Sequence, residues 1–292
     1  MKPFNIDTFR VDGSDKFSIK KAATKIDDWY TNEADYEAKM AVQASDIDKC
    51  QTRMYADNQY GVLAVFQAMD AAGKDGTIQH VFTGTNPMGL RVFSFKRPTD
   101  LELDHDWLWR SYRELPERGT IGIFNRSYYE EVLVIKVHPE MLTESQRIPD
   151  EFTGDLDKVW KQRYEAICDM ERHLYRNGFP TIKFFLYVSK KEQGKRLAER
   201  IKDPAKNWKF SEQDLVERQS WADYQDAYEK AINETATKNC PWYVVPADDK
   251  KNMRLIVGRI LIEELKKMPI KEPKPDPLRF AHLQTLLPQL EE

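Results

Sequence analysis

Apolar residues follow two rhythms along this chain, and the rhythms alternate. Unbroken or every-second-residue apolar runs at 62–66, 90–95, 121–124, 181–188 and 242–245 read as strands. The first, Val62-Leu63-Ala64-Val65-Phe66, has no polar residue and predicts a strand buried on both faces. Between the runs, apolar residues recur at helical spacing. Residues 1–60 read as helical, with Asn32 capping a long helix in which Tyr36, Met40, Ile47 and Met54 share a face. Further helices are predicted over 78–83, 99–115, from Ser127 through about 134, over 155–176, from Ser189, from Ser211 and over 250–267. Thr99–Glu102 and Ser127–Glu130 both match the capping box. Strands alternating with helices predict an α/β fold with a parallel sheet covered on both faces.

In such sheets ligands gather beyond the carboxyl ends of the strands, so the residues following each strand become the candidates. After the first strand comes Ala71-Ala72-Gly73-Lys74-Asp75-Gly76. Small residues let backbone N–H groups turn toward an anion, a helix starting near Lys74 adds its dipole, and Lys74 adds a mobile cation. The loop departs from the usual G-x-x-x-x-G-K-[ST] pattern, with Ala68 at the first Gly and Asp75 at the Ser/Thr. An ordinary strand–turn–helix junction is the plain alternative. Asp70 and Asp75 favour the phosphate loop, since paired carboxylates there can hold Mg²⁺ against phosphate oxygens.

Two more strand ends add to this edge. Arg91 and Lys96-Arg97 form either a solvated strand end or a basic track for a long anion. Asn125-Arg126 follows the third strand, with Glu130 and Glu131 one turn on as candidates for substrate or metal, although capping alone accounts for Glu130. Arg196, Arg200 and Lys202 precede the polar stretch 203–210 and form either a charged helix face or a basic lid. Trp208, Trp221, Tyr224 and Tyr228 read as helix packing. His105 and His138 lack metal partners at ligand spacing.

The 292 residues allow one large α/β domain or two small ones, and 41% hydrophobic with 32% charged residues fits a soluble protein. A net charge of −3 gives no general affinity for polyanions, so local clusters must carry that role. Cys50, Cys168 and Cys240 read as reduced thiols of a cytoplasmic protein. No signal core and no membrane-spanning run is legible, and the Pro- and Lys-rich tail after 268 is expected along the surface.

The segments AMDAAGKDGTI (68–78), SFKRPTDLELDHDWLWR (94–110), IFNRSYYEEVLV (123–134) and DPAKNWKFSEQDL (203–215), in this order, resemble the polyphosphate kinase 2 family. The resemblance runs from about 19 to 267. It implies one P-loop kinase domain over 1–292, like thymidylate kinase, with a helical extension at 1–60, a lid at about 203–236 and a tail at 268–292. It implies phosphoryl transfer between inorganic polyphosphate and nucleotides, with Mg²⁺, in a homo-oligomer, dimer or tetramer, and without nucleic-acid or membrane partners. Asn125 with Glu130-Glu131 looks most like the class III subgroup, which accepts both mono- and diphosphates. By the same resemblance Asp70, Lys74 and Arg126 are catalytic, and Ala72, Gly73, Asp75, Gly76, Lys96, Arg97 and Arg200 bind phosphate with Lys74. Asn125, Arg126 and Glu130 meet the nucleotide, and Asp70, Asp75 and Glu131 meet the metal. An ATP-dependent nucleotide kinase of the same fold and a non-catalytic polyanion-binding protein are the alternatives.

Overall fold

The structure, a computed structural model, describes residues 5–272 and 276–290. Five strands run parallel, as the apolar runs predict: β2 (Val62–Gln67), β3 (Leu90–Ser94), β4 (Ile121–Asn125), β5 (Thr181–Tyr187) and β6 (Trp242–Pro246). A two-residue strand β1 (Arg10–Val11) pairs antiparallel with β6, giving the order β1-β6-β5-β2-β4-β3. Every residue of β2 is buried, which accounts for its uninterrupted apolar run. The central position of β2 puts the loop that follows it midway along the carboxyl edge.

Helices α1 (Glu33–Asp57), α2 (Lys74–Phe82) and a late helix pack together as one layer. The opposite layer holds α3 (Leu156–Arg176) and a helix over Trp221–Thr235, which bury Trp160, Tyr164, Tyr224 and Tyr228. Apart from several helical turns of four or five residues, the later helices in chain order are α4 (Lys190–Lys202), α5 (Gln213–Gln219), α6 (Trp221–Thr235), α7 (Lys250–Lys267) and α8 (Pro277–Gln284). Here α7 is the late helix beside α1 and α2.

Several sequence expectations need correction. Residues 5–32 are not helical apart from short 3-10 turns. They form β1 and a strap tied to α6 and α7, as where the Phe17 N–H donates to Asn233 at 2.9 Å and the Trp29 N–H to Asn252 at 2.9 Å. Residues 1–4 lie outside the described residues. Asn32 does cap α1, accepting from the Asp35 N–H at 3.0 Å. The helix expected over 99–115 is two turns, Asp100–Leu103 and Trp109–Arg113, and only its capping box at Thr99 holds. Ser127 makes no capping box. It accepts from the Tyr129 N–H at 3.1 Å and starts a 3-10 turn, leaving Glu130 free for another partner. Of the expected lid, 224–235 belongs to the core, and the exposed part is 203–219. The tail bears α8, exposed along its length, and its residues 273–275 and 291–292 lie outside the described ones.

Candidate active site

A cleft of about 860 Å³ opens over the carboxyl edge of the sheet. Its floor is the loop between β2 and α2. Two backbone features shape that loop: Ala71 at φ +60° and Gly73 at φ +108°. A Cβ on Gly73 would stand 3.2 Å from the Met253 side chain, so both conformation and space favour glycine there. Lys74 follows as the first residue of α2 and is buried, its Nζ donating to the Ala68 carbonyl at 2.7 Å. Burial, and then the nearby Arg126, lowers the Lys74 pKa to about 8, against the pull of Asp70, Glu130 and Asp75.

The loop is clamped from outside by α4. Buried Arg196 donates to the Ala72 carbonyl at 2.7 Å and, on the other side, to the Ala247 carbonyl at 2.7 Å. Gln193 donates to the Asp70 carbonyl at 3.1 Å. Arg196 therefore belongs to the wall that shapes the loop, and a charged helix face or lid does not describe it. Ala72, expected to offer its N–H to phosphate, is buried with that N–H donating to the Met69 carbonyl at 3.3 Å.

Arg126 sits at φ +63°, its N–H donating to the Phe66 carbonyl at 3.0 Å. This left-handed turn points its side chain back across the top of β2. The guanidinium reaches Asp70 at 2.7 Å and Glu130 at 3.4 Å. These carboxylates raise its pKa further, Glu130 most. Asn125 donates to Asp75 at 2.7 Å, and Ser94 lies 3.4 Å from the same amide. Arg200 holds Asp214 at 3.4 Å and the Lys209 carbonyl at 3.2 Å, tying α4 to the exposed segment.

Asp70, Gly73, Lys74, Asp75, Gly76, Lys96, Arg97, Asn125, Arg126 and Arg200 thus line one cleft, as expected. Glu130 lines the small cavity behind Arg126 instead. Glu131 is a correction: it is turned into the core, where Arg163 donates to it at 2.9 Å with Gln146 beside it, so it leaves the metal set. Trp208 is a second correction, since it stands 78% exposed at the rim of the cleft with Lys209 beside its ring. Lys206, Lys209, Lys250 and Arg254 also line the cleft and were missed. The strand-end rule, applied to β6 as well, points to Lys250 and Arg254. Ten lysines and arginines meet four carboxylates in the cleft. Both Asp70 and Asp75 line the cleft, and among the described residues one carboxylate oxygen of each takes no hydrogen bond. That donor set suits Mg²⁺, which commonly takes one or two carboxylates and completes its shell with phosphate oxygens and water.

Among the described residues no helix is long and apolar enough to cross a membrane. The Polyphosphate kinase 2 family matches residues 30–273. An "ADP-polyphosphate phosphotransferase" of Rhodopseudomonas palustris is 49% identical over 97% of this chain and 97% of its own. An "AMP/ADP-polyphosphate phosphotransferase" of Meiothermus ruber is 42% identical over 92% of this chain and 96% of its own. The crystal structure of polyphosphate kinase 2 from Arthrobacter aurescens superposes with a TM-score of 0.84, covering 97% of this chain and 96% of the other at 35% identity. Sequence, fold and cleft agree, and the chain belongs to the polyphosphate kinase 2 family.

Proposed function

We propose that this chain transfers the terminal phosphoryl group of inorganic polyphosphate to AMP and to ADP. The observation that carries the reading is the excess of cations over carboxylates in a cleft whose floor is a phosphate loop. An excess of that size exceeds the needs of one nucleotide and suits a polymeric phosphate.

In the forward reaction a terminal phosphate oxygen of the acceptor attacks the terminal phosphorus of the polymer. The new P–O bond forms as the anhydride bond breaks, and the shortened polyphosphate leaves with the electron pair. The attacking oxygen is already anionic, so no general base is needed, consistent with the absence of histidine among the described residues that line the cleft. The chain's part is positioning and charge neutralisation. Lys74 and the N-terminus of α2, with Gly73 and Gly76, bind the transferring phosphates. Arg126 bridges donor and acceptor, oriented by Asp70 and Glu130. Lys96, Arg97 and Arg200 neutralise outlying phosphates. Mg²⁺, when bound, would neutralise phosphate oxygens, and Asp70 and Asp75 would hold it.

Both relatives' names include ADP as acceptor, and the M. ruber name adds AMP. Asn125 supports the wider range here. Its amide bonds Asp75, where a second carboxylate would repel both Asp75 and an added acceptor phosphate. A polymer of identical units can shift by one unit to meet acceptors of either length. The thiols of Cys50, Cys168 and Cys240 are free, which suits the cytoplasm, and the family resemblance supports a homo-oligomer. A time course with AMP, excess polyphosphate and Mg²⁺ tests the reading. ADP should rise first and ATP follow. Conversion of ADP with AMP untouched would restrict the acceptor to ADP.

A further inference from the structure

The cleft has two arms that meet at the phosphate loop. Toward β4 and β3, Asn125, Ser94 and Asp75 form a hydrogen-bonded group of mixed character. Toward β6, the first turns of α7 present Lys250 and Arg254, four residues apart and so on one helix face. Arg254 stands against the first turn of α2, its Nη2 3.6 Å from where a Cβ on Gly76 would lie.

These two cations are left uncompensated. Among the described residues neither has a carboxylate within ion-pair distance, although Lys251 reaches Glu33 and Lys266 reaches Asp46 on the same helix. Arg254 touches the Tyr36 hydroxyl at 3.3 Å, and its buried Nε has no acceptor among the described residues. Burial lowers the Lys250 pKa, and Arg196 and Arg254 push it the same way, against Glu199. The exposed segment differs: Lys206 pairs with Asp203 at 2.7 Å, and Arg200 with Asp214. Cations that repel one another on one face of a helix, without a carboxylate partner, favour an anion that bridges them. No base or ribose is needed to satisfy them, and a string of phosphates suffices.

Resting on the function proposed above, we infer that Lys250 and Arg254 form a distal phosphate subsite, holding units of the donor chain beyond the reacting one. The donor then runs from the loop toward α7, and the acceptor lies toward Asn125 and Arg126.

The test compares tripolyphosphate with long-chain polyphosphate as donors for the wild type, Lys250→Gln, Arg254→Gln and the double variant. A short donor ends before the subsite and a long one crosses it. The ratio of kcat/KM for the long donor to that for the short one should fall about tenfold for each cation removed, the size of one charge-assisted hydrogen bond. An unchanged ratio, or a loss expressed chiefly in the KM for ADP, overturns the assignment. Arg254 also supports Tyr36, so Lys250→Gln, at an exposed position, keeps the test valid if Arg254→Gln misfolds. Equilibrium binding of long-chain polyphosphate without nucleotide separates the two claims. Binding that depends on Lys250, in a protein that never turns polyphosphate over, keeps the subsite and overturns the proposed reaction.

Discussion

Lys183 and Arg126 each hold carboxylates, and their surroundings differ completely. Lys183 on β5 is fully buried. Its three donors go to Glu171 at 2.6 Å, the Thr235 carbonyl at 2.9 Å and the Tyr129 hydroxyl at 3.1 Å. Glu171 in turn accepts from Tyr128 at 2.9 Å and Tyr129 at 2.8 Å. Burial first, and then Glu171, raises both tyrosine pKa values well above the usual range, so the hydroxyls stay protonated donors. Arg126 is 40% exposed, holds Glu130 at a long 3.4 Å and occupies a left-handed backbone. The first cluster leaves no donor for a ligand. The second keeps charge and donors open to the cleft. The two are joined, because Tyr128 and Tyr129 belong to the turn that follows Arg126. A closed polar network thus anchors the segment from which the open one projects.

Breaking the closed network should have the largest effect, and on stability. Lys183→Met leaves Glu171 buried without its cation and should cost about 3–5 kcal/mol, read from the denaturant midpoint. Lys183→Met with Glu171→Leu should recover much of that loss. If the single and double variants are equally unstable, the pair is not the anchor.

Breaking the open site should leave the fold and remove turnover. Lys74→Ala should lower kcat by on the order of 10²-fold or more, with the circular dichroism spectrum retained. Near-normal turnover would take the loop out of the mechanism.

The smallest effect is that of pH. With the folded Lys74 pKa at about 8, kcat/KM for polyphosphate should decline above that pH, approaching tenfold per unit. Bound phosphate restores the charged form, so the limb in kcat should lie higher. The stability effect has the opposite sense. Between about 8 and the unfolded value near 10.5 the unfolded chain binds the extra proton, so the free protein gains stability from this group as pH rises. Coinciding limbs in kcat and kcat/KM would show that Lys74 does not contact the donor.

The open site was largely legible in the sequence and the closed one was not. Apolar runs mark strands buried on both faces, and strand ends mark the cleft, so Lys74, Asp70, Asn125 and Arg126 were found by position. What failed depended on distant partners or one-residue offsets. Glu130 and Glu131 are adjacent acids, and only the 3-10 turn decides that one meets Arg126 and the other Arg163. Arg196 looks like one more charge on a charged helix, and its Nε does pair with Glu192 one turn back, yet its other donors go to carbonyls of residues 71, 72, 247 and 248. Lys183 lies in an apolar strand, and nothing local reveals Glu171. The two residues of β1 carry too little pattern to read as a strand.

That short strand bears on how the chain is made. Arg10 and Val11 pair with Tyr243 and Trp242, and the Thr24 carbonyl accepts from the Asp248 N–H at 2.9 Å. Residues 10–24 therefore complete these contacts only after β6 and the residues beyond it have emerged. Until β6 exists, β1 has no partner strand and β5 presents an open edge, the kind of surface that recruits other chains. Contacts of such sequence separation also slow folding. A nascent chain halted before residue 242 already carries the complete phosphate loop and Arg126, yet lacks β6, α7 and the docked strap. Completion of the sheet is thus a late step, and β1 is paired only once β6 has been made.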